Sequence, residues 1–497
     1  MIGLWDTHKI AAITSAEYAG GPQAVTAVET DTRKPLKGAL FVALVGERFD
    51  GHDYIAQALQ QGAVAALSSK SLAELKAAGQ IVDKQKILVV DDTLRALGQI
   101  GRANRARFRG LVAAVTGSAG KTSVKEMLAS ILATRGAVAK TQGNLNNEIG
   151  VPLSLLQLND QHVAGVFELG ASAVGEIART TRMTLPQVAI LNNAGSAHLE
   201  GFGSLERIVQ AKAEIFEGLL GSGSAVLNRD DKNYPFWLTF CQNLSQKPDI
   251  ISFGFHESAD VTAKNVQSNE SGSSFTLVLR RPGDAGKPAE VAVHLQFAGR
   301  HNISNALAAS AACFMLGLKP SAIAEGLSAA RPVGGRLQFE RYGHGLTCID
   351  DSYNANPASM VAALDVLAGA EGVGVAVLGD MAELGGTAKA AHFELGAQAA
   401  VRGFASVFAI GQFSAEVRRG FESIAAKGDA ECHAFTDKAA AQIPLVNELQ
   451  ARLKRGEGVC VLFKGSRSAG METLKAAVLK RMGFASSAAN SDRGGKV

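Results

Sequence analysis

The sequence predicts an α/β protein of three domains. They are a smaller N-terminal α/β domain (1–108), a central doubly wound, mostly parallel sheet carrying a phosphate-binding loop (109–330), and a C-terminal Rossmann-like α/β domain (331–485). Three observations lead there. A chain of 497 residues exceeds what one hydrophobic core organises. Short apolar runs bounded by glycine and polar residues alternate with helix-forming stretches, the pattern of parallel strands joined by crossover helices. One such run leads straight into Gly117-Ser-Ala-Gly-Lys-Thr-Ser123 and then a helical segment.

The elements follow in order. In the first domain, Ala39–Leu44 is β-like and precedes Asp50-Gly-His-Asp53, and the good helix formers Thr93–Arg107 end at Arg109-Gly110. Leu111–Val115 reads as a buried parallel strand. Lys121–Ala133 reads as a helix with Val124, Leu128, Ile131 and Leu132 on one face. Gly165–Leu169 and Val188–Leu191 are further short strands leading into polar loops. The turn-rich stretch 326–335, containing Arg331-Pro-Val-Gly-Gly335, marks a domain boundary. Beyond it, strand-like runs recur at Val373–Leu378, Ser406–Ile410 and Val459–Phe463. The tail 486–497, rich in Ser, Ala, Asn and Gly, is expected to be disordered.

Composition narrows the function classes. Hydrophobic residues at 47% and charged residues at 19% fit a folded globular chain. A net charge of +4 does not call for a nucleic-acid partner, and Arg102, Arg105, Arg107 and Arg109 read as a solvated helix face. The five scattered cysteines contain no C-x-x-C pair, so neither a disulfide framework nor a zinc site is expected, which favours a reducing compartment. The N-terminus lacks a basic start followed by an apolar run, and no apolar stretch reaches the roughly 20 residues that span a bilayer. A cytoplasmic protein without membrane insertion is expected.

The glycine loop carries the chemistry. Strand, glycine turn and helix occur in the order that phosphate binding requires. Gly117 and Gly120 allow close backbone approach, and the amides through Ser118 and Ala119 face the phosphates. Lys121 supplies a cation, and Thr122 or Ser123 a hydroxyl for Mg²⁺. ATP is the expected nucleotide. Two residues rather than four separate the glycines, so the loop is shorter than the common eight-residue form. Glu168, His198 and Lys212 fall at or beyond strand ends, the edge where open α/β sheets bind ligands. Read singly they are a strand-edge carboxylate, a loop histidine and a surface lysine. On these residues alone a P-loop kinase or regulatory NTPase remains open.

The motifs Thr116-Gly-Ser-Ala-Gly-Lys-Thr122, Glu168-Leu-Gly170, Ala197-His-Leu-Glu200, Lys212-Ala-Glu-Ile-Phe216, Gly299-Arg-His-Asn-Ile-Ser-Asn-Ala306 and Asp350-Asp-Ser-Tyr-Asn-Ala-Asn-Pro357 resemble the Mur ligase family in order and spacing, over nearly the whole chain. Asp31-Thr-Arg33, Gly38–Leu44 and Phe49-Asp-Gly-His52 look like that family's UDP-binding N-terminal domain. Gly143–Gly150, Asp351–Asn356 and Gly379–Gly385 resemble the member that adds the terminal dipeptide. The Asp-Asn-Pro-Arg segment usual in the diaminopimelate-adding relative is absent. The resemblance implies an ATP-dependent ligase joining D-alanyl-D-alanine to UDP-N-acetylmuramoyl-tripeptide through an acyl phosphate. The diaminopimelate- or lysine-adding ligase is the near alternative, whereas folylpolyglutamate synthase lacks the UDP-type domain.

Residue roles are implied by the same resemblance. Thr122 and Glu168 would hold one Mg²⁺ and His198 a second, with Lys121 on the phosphates. Lys212 would be carbamylated by CO₂, which turns a cation beside Mg²⁺ into an anionic oxygen donor. Asn302 and Asn305 would read adenine, although a helix N-cap is the other reading of Asn302. Arg336 would reach the phosphates, Asp351 the ribose, and Lys464 and Arg467 substrate or phosphate. Thr32, Arg33 and Asp50, with Asp31, would serve the UDP end, and Asn146 and Asn147 the sugar-peptide. Ala171-Ser-Ala-Val174 departs from the Asn-His of many relatives, so no role carries over to Ser172 or Ala173. A monomer is expected, because closure between domains completes such a site.

Overall fold

The computed structural model describes residues 1–47, 49–80, 82–195, 199–221, 223–270, 272–283, 286–425 and 430–484. His198 and the tail 486–497 lie outside the described residues. Among the described residues the strands form three sheets. The first holds β1 (Ala27–Glu29), β2 (Ala39–Val42), β3 (Ala65–Ser68) and β4 (Ile87–Val89), all parallel and in sequential order.

The central sheet holds β5 (Leu111–Thr116), β6 (Ala137–Lys140), β7 (His162–Glu168), β8 (Val188–Leu191), β9 (Ser224–Asn228), β10 (Asp249–Phe253), β11 (Val261–Asn269), β12 (Gly272–Leu279) and β13 (Ala289–Leu295). Their order is β13-β12-β11-β10-β9-β8-β5-β7-β6. The pairs from β6 to β11 are parallel, and β12 and β13 add an antiparallel meander. The third sheet holds β14 (Gln338–Tyr342), β15 (Leu346–Asp351), β16 (Val373–Gly379), β17 (Ser406–Ile410), β18 (Glu431–Phe435) and β19 (Val459–Lys464), ordered β14-β15-β19-β16-β17-β18 with only β14 antiparallel.

Both faces of the central sheet are covered, which is why β5 is apolar without alternation. Ala113 and Val115 pack into one core with the helices Lys121–Leu132 and Arg300–Met315. Val112 and Ala114 pack into another with Ile177, Ile208 and Phe216. The C-terminal sheet repeats this: Cys460 and Leu462 face one core, Val459, Val461 and Phe463 the other. The meander differs. In β13 exposed or half-exposed positions interrupt the buried ones, and much of β11 faces solvent, so neither gives the continuous apolar run that marks a buried strand.

The neighbours of β5 are β7 on one side and β8 on the other. Strand order therefore reverses at β5, and a crevice opens beyond its carboxyl end, where open α/β sheets bind ligands. No helix of the described residues is long and apolar enough to cross a membrane.

Candidate active site

The phosphate loop emerges from β5 into that crevice. Register brings the other groups to it: Val115 lies opposite Glu168 on β7, and Thr116 opposite Leu191 on β8. Gly120 opens the helix Lys121–Leu132 with φ +78°, in the left-handed region. A Cβ there would stand 2.4 Å from Asn305 Oδ1 and 2.6 Å from Asn192 Nδ2, so conformation and space both require glycine. The loop is pinned from β8: Ala119 N donates to Asn193 Oδ1 at 2.9 Å, Ser118 N to Asn193 O at 3.1 Å, and Ser118 Oγ to Gly195 O at 3.0 Å. Lys121 Nζ folds back to donate to Gly117 O at 2.7 Å. Burial pulls its pKa below the ordinary lysine value, Glu168 opposes this, and Arg336 adds to it. Ser123 follows, half-buried, in the first turn.

Glu168 ends β7 almost fully buried. Its Oε2 accepts from Thr122 Oγ1 at 2.9 Å and its Oε1 from Asn146 Nδ2 at 2.9 Å, so the carboxylate is aimed from both sides. Lys212, in the last turn of the helix Leu205–Ala213, is 1% exposed, with Nζ 5.5 Å from the Phe202 ring centroid. It is not the surface lysine that the isolated sequence reading gave. Burial first, and Lys121 second, bring its pKa down to about 7 against the opposing charges of Glu176, Glu214 and Glu168.

A chain of asparagines crosses the crevice. Asn228 Nδ2 donates to Asn192 O at 2.8 Å; Asn192 Nδ2 donates to Ala119 O at 3.0 Å and Asn305 Oδ1 at 2.9 Å; Asn305 Nδ2 donates to Asn302 Oδ1 at 3.1 Å. Asn302 does not cap its helix. The cap position is Gly299, at φ +91°, and the Asn302 amide donates to Ala298 O at 2.8 Å. Asn192 Oδ1 is a buried acceptor without a hydrogen-bond partner among the described residues. Asn192 and Asn193 were missed in the sequence, although an Asn-Asn pair directly after an apolar strand is a readable signal.

The C-terminal domain brings its residues to the same crevice. The Arg336 guanidinium lies 4.3 Å over the Tyr353 ring, and that of Arg467 lies 5.7 Å from it. Arg467 also pairs with Glu472 at 3.1 Å on the exposed rim. Asp351 Oδ2 accepts from Lys464 Nζ at 2.6 Å and Oδ1 from Leu337 N at 3.1 Å. Polar contacts join the central and C-terminal domains. Asn356 Nδ2 donates to Ser118 O at 3.2 Å, Glu200 N donates to Glu383 O at 3.3 Å, and Glu270 at the β11–β12 turn accepts from Arg341 at 3.0 Å and Glu371 N at 2.6 Å.

The UDP-end candidates stand apart, around the first sheet, with local contacts. Arg33 pairs with Asp31 at 2.6 Å, beside half-buried Thr32. Asp50 caps the turn at His52 and takes hydrogen bonds from His52 and Lys70. Burial raises its pKa, and these donors more than offset that, bringing it to about 2. Asn147 Oδ1 accepts from Gly150 N at 2.8 Å, a loop-capping contact, and Ser172 N donates to Glu176 at 2.8 Å while Ala173 is exposed.

This three-sheet frame and crevice have counterparts among known proteins. The Mur ligase middle domain matches residues 115–313, the Mur ligase glutamate ligase domain 335–467, and the Mur ligase family catalytic domain 24–105. The UDP-N-acetylmuramoyl-tripeptide–D-alanyl-D-alanine ligase of Escherichia coli K12 is 41% identical over 461 residues, covering 93% of this chain and 95% of the relative. The chain belongs to the Mur ligase family.

Solved Mur ligases share the whole frame. The MurF structure from Acinetobacter baumannii superposes with a TM-score of 0.86 at 35% identity, over 96% of this chain and 99% of that one. The MurF ligase of Thermotoga maritima, solved in complex with ADP, gives 0.77 at 29% identity over 92% and 98%. The three-domain α/β fold expected from the sequence is thus the Mur ligase fold, and ATP use goes with the family.

Proposed function

We propose that this chain is the ATP-dependent ligase that joins D-alanyl-D-alanine to UDP-N-acetylmuramoyl-tripeptide, giving the pentapeptide precursor of peptidoglycan with ADP and phosphate. The observation that carries the reading is likeness to ligases of that name over nearly the full length, combined with a carboxylate, Glu168, held against the phosphate loop. The three sheets support domains at 1–108, 109–330 and 331–485.

The reaction needs a substrate carboxylate turned into a good acyl donor. The loop amides, Lys121 and Arg336 bind the nucleotide phosphates and offset the charge that develops as the γ-phosphoryl group passes to the tripeptide carboxylate. The dipeptide amine then attacks the acyl carbon, the C–N bond forms, a proton leaves the nitrogen, and phosphate departs. Asn302, Asn305 and the acceptor of Asn192 serve adenine recognition, and Asp351 the ribose. Thr32, Arg33 and Asp50 serve the UDP end, Asn146 and Asn147 the sugar-peptide, and Lys464 and Arg467 substrate or phosphate.

The donor set fits Mg²⁺. Thr122 and Glu168 present hard oxygens side by side. His198 and Lys212, as a carbamate, complete the assignment of two ions. Bound there, Mg²⁺ supplies charge neutralisation at the transferring phosphoryl group. Lys212 suits carbamylation because CO₂ adds to a neutral amine with loss of a proton, and burial keeps much of this amine neutral near pH 7. ATP, a UDP-linked substrate and free cysteines fit a cytoplasmic enzyme, and a site built within one chain fits a monomer.

Product mass tests the reading. Incubation with ATP, the tripeptide nucleotide and D-alanyl-D-alanine is expected to give the pentapeptide nucleotide with one ADP per bond. Addition of diaminopimelate or lysine to the dipeptide nucleotide would establish the alternative ligase. Steady ATP hydrolysis without any amine acceptor would overturn both.

A further inference from the structure

We infer that Asn356 is a positioning residue that couples the phosphate loop to the C-terminal domain; the inference rests on the ligase reading above. The two ends of its carboxamide do different work. Oδ1 accepts from Ser359 N at 2.9 Å and caps the helix Pro357–Ala368, and Asn356 N in return donates to Ser359 Oγ at 2.9 Å. Nδ2 points the other way and donates to Ser118 O at 3.2 Å. Of these polar contacts between the two domains, this one reaches the phosphate loop itself.

Ser118 is already fixed on its other side. Its N–H goes to Asn193 O and its hydroxyl to Gly195 O, both beyond β8. Its carbonyl is the group turned toward the C-terminal domain. Asn356 thus reads the shape of the loop: the bond forms only when the domain carrying Arg336, Asp351 and Lys464 lies against a correctly folded loop. On the same segment, Asp350 is braced by Lys475 at 2.5 Å and by Ser352 Oγ at 2.5 Å, so the Asp350–Asn356 stretch moves with its domain as a unit. A residue that merely capped a helix has no need of the second bond, and serine caps as well as asparagine does.

That equivalence separates the roles. Asn356→Ser keeps an N-cap and loses the reach to Ser118, whereas Asn356→Ala loses both. Asn356→Ser is expected to melt with the wild type, to keep the KM for the tripeptide nucleotide, and to lose about tenfold in kcat, the worth of one hydrogen bond between the domains. Small-angle scattering with a non-hydrolysable ATP analogue is expected to show a more open particle for Asn356→Ser than for wild type. Asn356→Ala is expected to add a fall in melting temperature. Wild-type turnover and scattering in Asn356→Ser overturns the inference, as does an activity loss matched by an equal loss of stability. If wild type makes no pentapeptide, the ligase reading fails by itself, and the scattering arm still decides whether Asn356 couples the domains.

Discussion

Thr122 Oγ1 donates to Glu168 Oε2 at 2.9 Å, joining the first turn of the phosphate-loop helix to the end of the neighbouring strand. The bond fixes the hydroxyl and the carboxylate as one unit, and each oxygen keeps lone-pair capacity for a hard cation. Three expectations concern this site and its surroundings, and a fourth the N-terminal domain.

Glu168→Gln removes the charge while keeping the shape. Product formation is expected to fall about 10²- to 10³-fold, with the fold retained. Rates at saturating ATP and Mg²⁺, read beside a thermal melt, check it.

Gly120→Ala places a methyl group 2.4 Å from Asn305 Oδ1 in a left-handed backbone. The conformational strain alone is about 1–2 kcal/mol, and the asparagine chain must move as well. Nucleotide affinity is expected to drop more than stability, as ADP-binding calorimetry and a melt would show.

Asn192→Ala breaks the link between Ala119 O and Asn305 and removes the buried acceptor. KM for ATP is expected to rise about tenfold or more, with KM for the tripeptide nucleotide unchanged. Equal increases in both would count against a nucleotide role.

Asp50 supplies a pH test in the N-terminal domain. Its pKa of about 2 lies below the unfolded value near 3.9, so its charge stabilises the fold above about pH 4, and that contribution is lost as pH falls toward 2. Wild type is expected to melt above Asp50→Asn at pH 7, and the gap to close between about pH 4 and pH 2. A gap constant across that range would remove Asp50 as its source.

The parallel strands were legible because they are buried on both faces. Leu111–Val115 and Val188–Leu191 read as apolar runs and appear as β5 and β8 with bounds within one residue. Strands β11 and β13 were not legible, since solvent on part of their surface breaks such runs. Lys121 could be placed from the loop alone, because strand, turn and helix are contiguous. Lys212 could not: it is buried with Phe202 of the preceding turn beside it and feels the charges of Lys121 and Glu168, far back in the chain, and its own helix gives no sign of them. Asn302 shows the same limit. Sequence position suggested a cap, but Gly299 takes that place because its φ of +91° suits glycine. Asn356 was visible only as part of a motif; that its amide spans two domains needed the fold.

The pairing of β5 with β7 and β8 has a consequence for how this family tolerates change. Opposing Val115 to Glu168 and Thr116 to Leu191 sets the crevice as a ruler sets marks. Sliding β7 by one position would present Leu169 where the carboxylate belongs and turn alternate side chains to the wrong core. Insertions in the connecting loops leave these marks in place, whereas a single-residue deletion inside β7 or β8 disconnects nucleotide from catalysis without touching a functional residue.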